Sequence, residues 1–221
     1  MRGTHWIMIA FILVAAALRL LLLEDQSLWY DEGFTILLAK MPCAQAIAFT
    51  AQDVHPPLYY IILHLWLRVC GDAALSARMF SALFGIATVP LIYIVGKRTL
   101  GKGVGLIAAL LATLSPFYIY YSREARMYTL LTFLSLLSSY IMLRITDERC
   151  STETRASLWV VYLVSALMAS YVHYFAFLIL LVHAAYYAVW WLARGRQLHC
   201  GRHAITIAVL WALAYSPWFP V

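Results

Sequence analysis

At 221 residues, with 64% hydrophobic and only 12% charged residues, this chain carries more apolar surface than a water-soluble core of its size can hide. Its formal charge of +6 would suit a polyanion, but the basic residues stand in small clusters between apolar runs. That pattern sets orientation in a bilayer, so a soluble domain and a nucleic-acid binder are both excluded.

A bilayer core of about 30 Å calls for roughly 20 apolar residues in a helix. Trp6–Leu23 is the first such run. It is long for the core of a signal peptide and no A-x-A-like site follows, so it reads as a retained span. A polar loop then runs from Glu24 to about Leu75 and contains the apolar stretch Leu58–Val69. As a helix that stretch would cover only about 18 Å, too little to cross, and it is assigned to the interface. Six further spans are predicted: Ser76–Val95, Gly103–Ile119, Tyr128–Leu143, Leu158–Val172, Phe175–Leu192 and Ala204–Phe219. The fold class expected is an all-α polytopic membrane bundle of about seven spans. It forms a single domain, 1–221, with 24–75 as a loop within it.

Charge supports this arrangement independently. With the N-terminus cytoplasmic and Leu58–Val69 not crossing, Arg2, Lys97, Arg98, Lys102, Arg144, Arg149, Arg155, Arg194, Arg196 and Arg202 all lie inside, ten of the 16 Lys+Arg. Glu24, Asp25, Asp31, Glu32, Asp53, Asp72 and Glu124 then lie outside, seven of the ten acids. Letting Leu58–Val69 cross would move nine of the basic residues outside, against the positive-inside rule. The cysteines Cys43, Cys70, Cys150 and Cys200 fit no zinc spacing and read as small core residues, with a Cys43–Cys70 disulfide open to them in an oxidising compartment.

The first outer loop is long for a connector, and long loops are more often functional. It carries Asp31-Glu32 behind Trp29-Tyr30, then Asp53-Val54-His55-Pro56-Pro57-Leu58-Tyr59-Tyr60, where two prolines stiffen the backbone before a helix start. Parity places Ser122-Arg123-Glu124-Ala125-Arg126-Met127-Tyr128 on the same side, together with His173. Arginines on an outer face call for an anionic partner, and Arg19, near the outer end of the first span, can snorkel toward it. Carboxylates and cations gathered beside a membrane suit transfer from a lipid-phosphate sugar. The phosphate leaves readily, so the site needs a carboxylate base for the acceptor hydroxyl and positive charge for the departing phosphate. Asp31 is the expected base, and Arg123, Arg126, Arg19 and His55, in that order, are the expected phosphate binders.

These same residues carry a resemblance. Leu18-Arg19-Leu20, Leu28-Trp29-Tyr30-Asp31-Glu32, His55-Pro56-Pro57-Leu58-Tyr59-Tyr60, Arg78-x-x-Ser81-Ala82-Leu83-x-Gly85, Ser115-Pro116 and Tyr121-Ser122-Arg123-Glu124-Ala125-Arg126-Met127-Tyr128 follow one another in order. Together they resemble the GT-C glycosyltransferases of the protein mannosyltransferase and aminoarabinose transferase group. The resemblance covers roughly residues 6–130, with Tyr171-Val172-His173-Tyr174 beyond it. It implies an inverting enzyme that draws on a polyprenyl-phosphate-linked sugar at the extracytoplasmic face of a bacterial plasma membrane. It puts the catalytic acids on Asp31, with Glu32 beside it, and on or near Glu124, and adds Tyr59 and Tyr128 to the substrate contacts. Some relatives hold a divalent metal. His55 and His173 are the candidate ligands, although two scattered histidines read more readily as core or interfacial ones.

Members of the group carry further spans beyond the region seen here. With the chain stopping just after Ser216-Pro217-Trp218-Phe219-Pro220-Val221, it reads as an N-terminal portion of such a protein. The rival readings are a non-catalytic membrane subunit or inactive remnant, and a transporter. Against transport, no halves repeat and the charges gather at one face.

Overall fold

The computed structural model describes residues 2–21, 23–25, 27–53, 55–194 and 198–218, with the side chains of Arg2 and of residues 198–200 left aside. Arg196, Phe219, Val221 and the side chains of Arg2 and Cys200, all used in the sequence reading, lie outside the described residues. The described residues form helices and turns without a strand.

Helix α1 (Arg2–Leu20) is the first long apolar helix. Three shorter helices, α2 (Tyr30–Lys40), α3 (Cys43–Thr50) and α4 (Leu58–Cys70), fill the polar loop that follows. Helix α5 (Ala74–Leu100) is the longest, about 40 Å at the rise of an α-helix, and ends at Gly101, whose φ of 97° an L side chain rarely adopts. Helix α6 (Lys102–Leu114) returns along α5. Their crossing is too close for side chains, because a Cβ on Gly105 would stand 2.7 Å from the Lys97 nitrogen.

At Ser115-Pro116 the helix breaks. Proline has no amide to continue the ladder, and the Ser115 hydroxyl accepts from the Tyr118 amide to start α7 (Pro116–Ser122), bent 58° from α6. Then come α8 (Tyr128–Ile145), α9 (Thr152–Val172), α10 (Ala176–Ala193), α11 (Leu198–Tyr215) and a closing 3-10 turn, Ser216–Trp218.

The membrane assignment rests on apolar side chains that face outward along these helices, such as Leu13, Leu111, Leu178 and Ile205, each more than 60% exposed. A soluble monomer does not leave so broad an apolar surface open. Among the described residues five helices (α1, α5, α8, α9, α10) are long and apolar enough to cross, or six if the bent pair α6–α7 is one span. Of the seven expected spans, the last, Ala204–Phe219, runs beyond the described residues, and α11, which opens on a polar turn of His, Gly and Arg, falls short of the same measure. The short fifth segment is longer than the apolar run implied. Ser151 caps the helix through the Thr154 amide, so α9 begins six residues before Leu158.

Helix α4 has 13 residues, about 20 Å, and is too short to cross. It is not a loose interfacial helix, however. Tyr59, Tyr60, Leu63 and Leu67 form a buried face packed on α2, α5 and α9, at the centre of the largest core with Phe80 and Met127. The three cysteines whose side chains are described are not core residues: Cys43 and Cys150 are half-buried, Cys70 is exposed, and all three are free thiols.

Candidate active site

Alternating helices separate two polar ends. At one end lie Lys97, Arg98 and Arg144 in the last turns of α5 and α8, Arg149 in the α8–α9 connection, Arg155 in the first turn of α9 and Arg194 at the end of α10. There Arg98 pairs with Asp147 and Arg194 with Glu148. The other end is built by α2 and α4, the turn 123–127 between α7 and α8, and the turn 173–175 between α9 and α10. The two outer loops singled out from the sequence therefore do meet.

The adjacent acids of α2 have different fates. Glu32 is 1% exposed, and its carboxylate accepts from Arg78 Nε at 2.9 Å, from Arg78 Nη2 at 2.6 Å and from the Ala125 amide at 2.9 Å. Arg78 also donates to the Leu23 carbonyl at 2.6 Å. This buried bidentate pair ties α2, α5 and the 123–127 turn together, so Glu32 is corrected from a catalytic acid to a structural one. Asp31, one residue earlier and in the first helical turn, keeps a side chain 39% exposed. Its Oδ2 lies 3.6 Å from Arg126 Nη2, and its backbone carbonyl accepts from Arg126 Nη1 at 3.4 Å.

Arg126 is the cation of the site. It is buried, also reaches Thr35 Oγ1 at 3.4 Å, lies 5.7 Å from the centre of the Tyr128 ring, and leaves Nε without a hydrogen-bond partner. Around it stand His55, whose Nδ1 is 3.6 Å from Asp53 Oδ2, and His173, whose ring lies edge-on to His55 at 5.5 Å. The Phe175 amide donates to His173 Nδ1 at 3.1 Å. Burial, and then the Arg126 charge, push the His55 pKa below its ordinary value; burial, then His55 and Arg126, do the same for His173. Both shifts favour the neutral imidazole, which acts as a hydrogen-bond group. Among the described residues no three His, Cys, Asp or Glu side chains are grouped as metal ligands, so this pair lacks a third partner.

Two expected phosphate binders are consumed by the fold. Arg19, 1% exposed, donates to the Ala112 carbonyl at 2.9 Å, the Thr113 carbonyl at 3.2 Å and Ser122 Oγ at 3.3 Å. It satisfies carbonyls freed where α6 ends, and does not snorkel to the face. Arg123 caps α1 instead, through the Leu18 carbonyl at 2.7 Å and the Leu21 carbonyl at 2.9 Å. Tyr59 is likewise corrected: it is wholly buried, with its hydroxyl 3.2 Å from Ser81 Oγ.

Glu124 is 4% exposed with Oε2 unpartnered, and burial raises its pKa against the opposing hydrogen bond from Tyr120. The sequence reading placed Asp53 on this side and quoted Tyr60 and Arg78 in its motifs, but gave none of the three a role in the site. The Tyr60 hydroxyl is buried without a hydrogen-bond partner, and burial pushes its pKa up to about 12. Arg78 stood in a quoted motif, and the pairing of a lone arginine in a span with a loop carboxylate was the signal available.

Comparison with known proteins follows the same lines. Residues 54–220 match the profile of the dolichyl-phosphate-mannose-protein mannosyltransferase family, a stretch that includes His55, Arg78, Arg126 and His173 and begins after Asp31. An "Uncharacterized protein" of Aquifex aeolicus (strain VF5) is 34% identical over 87 residues, 39% of this chain and 17% of the relative's own length. This chain thus matches well under two thirds of that relative. No solved structure matches.

Proposed function

Because the chain belongs to the dolichyl-phosphate-mannose-protein mannosyltransferase family, we propose that it forms the catalytic membrane portion of a glycosyltransferase using a polyprenyl-phosphate-linked sugar. The proposed site is the Asp31–Arg126 end, facing the extracytoplasmic side with the N-terminus cytoplasmic. That orientation is supported by the basic residues gathered at the opposite end.

The single observation that carries the reading is a half-exposed carboxylate, Asp31, beside a buried arginine with an unused N–H. In the reaction Asp31 takes the proton of the acceptor hydroxyl as its oxygen attacks the anomeric carbon. The bond from that carbon to the phosphate oxygen breaks, and polyprenyl phosphate leaves with both electrons of the bond. Attack opposite the leaving phosphate inverts the anomeric centre. Arg126 meets the charge that grows on the phosphate, in a site of low dielectric where it is most effective. The neutral imidazoles of His55 and His173 and the Tyr60 hydroxyl supply hydrogen bonds for the sugar.

The test is Asp31→Asn in membranes, assayed for transfer from a radiolabelled polyprenyl-phosphate sugar. A loss of about 100-fold or more is expected for removal of a general base. Unchanged transfer would remove Asp31 from the role, and transfer indifferent to the lipid-linked donor would remove the reaction class.

A further inference from the structure

Arg126 stands in a turn and not in a helix, so no helical ladder fixes the direction of its side chain. The turn is buried, with Ala125 and Met127 wholly so, and peptide groups enclosed in this way must be paired. Glu32 takes the Ala125 amide at 2.9 Å, and the Arg126 amide donates to the Glu124 carbonyl at 2.8 Å. The Arg126 carbonyl accepts from the hydroxyl of Ser81, on α5, at 3.1 Å.

Ser81 is wholly buried and has a second partner, the Tyr59 hydroxyl of α4, 3.2 Å from its Oγ. A serine hydroxyl holds one hydrogen, and Ser81 spends it on the Arg126 carbonyl, which can only accept. The direction of the other bond follows: Tyr59 donates to Ser81, and Ser81 donates to Arg126. Each bond in such a one-way chain polarises the next. Two buried hydroxyls that only satisfied each other would close on themselves. This pair instead ends on the backbone of the residue that carries the site's cation. Farther out on that residue, Nη1 reaches the wholly buried Thr35 Oγ1 and the Asp31 carbonyl, each at 3.4 Å. Those contacts are long and weak, so the carbonyl bond does more to set where the side chain departs.

We propose that Tyr59 and Ser81 are positioning residues for Arg126, holding its carbonyl so that the guanidinium faces Asp31. Neither touches a substrate; both act through the arginine. Tyr59, withdrawn above from the substrate contacts, thus serves the reaction at two hydrogen bonds' remove. This rests on the phosphate role proposed above for Arg126, and adds what aims it.

The test compares variants of the whole chain in lipid nanodiscs. Ser81→Ala strips the Arg126 carbonyl of its donor, whereas Tyr59→Phe leaves that last bond in place. Ser81→Ala is therefore expected to lower kcat/KM for a polyprenyl-phosphate sugar by about tenfold, and Tyr59→Phe by about threefold. Ser138→Ala, which removes a buried hydroxyl bonded within α8, should leave transfer unchanged. In an Arg126→Gln background Ser81→Ala should cost nothing further, because the side chain it acts through is gone. An equal loss in both backgrounds, or no loss in either, overturns the proposal. A second readout needs no turnover: exchange of the Arg126 Nε–H with water, followed by NMR of chain carrying isotope-labelled arginine and assigned by the signal's absence in Arg126→Gln. Exchange should quicken by about tenfold in Ser81→Ala and about threefold in Tyr59→Phe. Unaltered exchange in both overturns the proposal even where transfer has fallen. If Ser81→Ala does not fold, Tyr59→Phe carries both readouts. A wild-type chain that transfers no sugar, or an Arg126→Gln chain that transfers normally, sinks the catalytic reading, and the exchange rates still decide whether the pair holds Arg126.

Discussion

Replacing Glu32 by glutamine should unfold more protein than it silences, whereas Asp31→Asn should do the reverse. Glu32 accepts three hydrogen bonds inside the core, two from Arg78 and one from the Ala125 amide, at 2.6–2.9 Å. A glutamine keeps one acceptor oxygen, turns the other into a donor facing the guanidinium, and leaves Arg78 charged and buried. Breaking one side of a buried pair costs about 3–5 kcal/mol, because the remaining charge goes uncompensated. In a chain of this size that corresponds to a fall in Tm of about 6–20 °C. Asp31 has one ion-pair contact at 3.6 Å and a side chain 39% exposed, so its replacement should cost less than about 1 kcal/mol. The assay is thermal unfolding of both variants in lipid nanodiscs, followed by transfer activity at a temperature where each remains folded. The reasoning is refuted if Glu32→Gln keeps its Tm and loses only turnover, for the pair would then serve the reaction and not the frame.

Three further outcomes follow from the site. Arg126→Gln should raise KM for the lipid-linked donor by about tenfold or more, since it removes the buried cation facing Asp31; a change confined to stability would count against a phosphate role. Gly85→Ala should destabilise by about 1–3 kcal/mol, because the added Cβ would lie 2.2 Å from Ser122 Oγ, and Ser122→Gly in the same chain should recover part of the loss in Tm. Glu124→Gln should stabilise the protein increasingly as pH rises. Burial raises the folded pKa of Glu124 above its ordinary 4.5, so the unfolded chain releases its proton first and the wild type loses stability from about that pH up to the folded pKa. The variant lacks this loss, and a Tm difference flat between pH 4.5 and 8 would contradict it.

Membrane class, most of the crossing segments and the placement of the two outer loops at one end were legible in the sequence. They depend on quantities summed along the chain: apolar length against bilayer thickness, and the side to which basic clusters fall. The end of α6 shows where such sums stop. Ser115-Pro116 lies inside the apolar run Gly103–Ile119, which hydropathy treats as continuous, yet proline ends one helix there and α7 departs at 58°.

Partner choice was settled only by tertiary contact. Asp31 and Glu32 are neighbours with the same charge, and what separates them is that Glu32 meets Arg78 and the Ala125 amide, 46 and 93 positions away. The sequence ranked Arg123 above Arg126 and Arg19 below it as phosphate binders, but carbonyls at the ends of α1 and α6 take the donors of Arg123 and Arg19. In a medium without water, freed backbone carbonyls must find donors within the protein, and the nearest arginines supply them. Arg126 spends Nη1 on the Asp31 carbonyl and Thr35 and keeps its Nε–H unpartnered beside the half-exposed Asp31 carboxylate, a pairing that only the folded chain brings about.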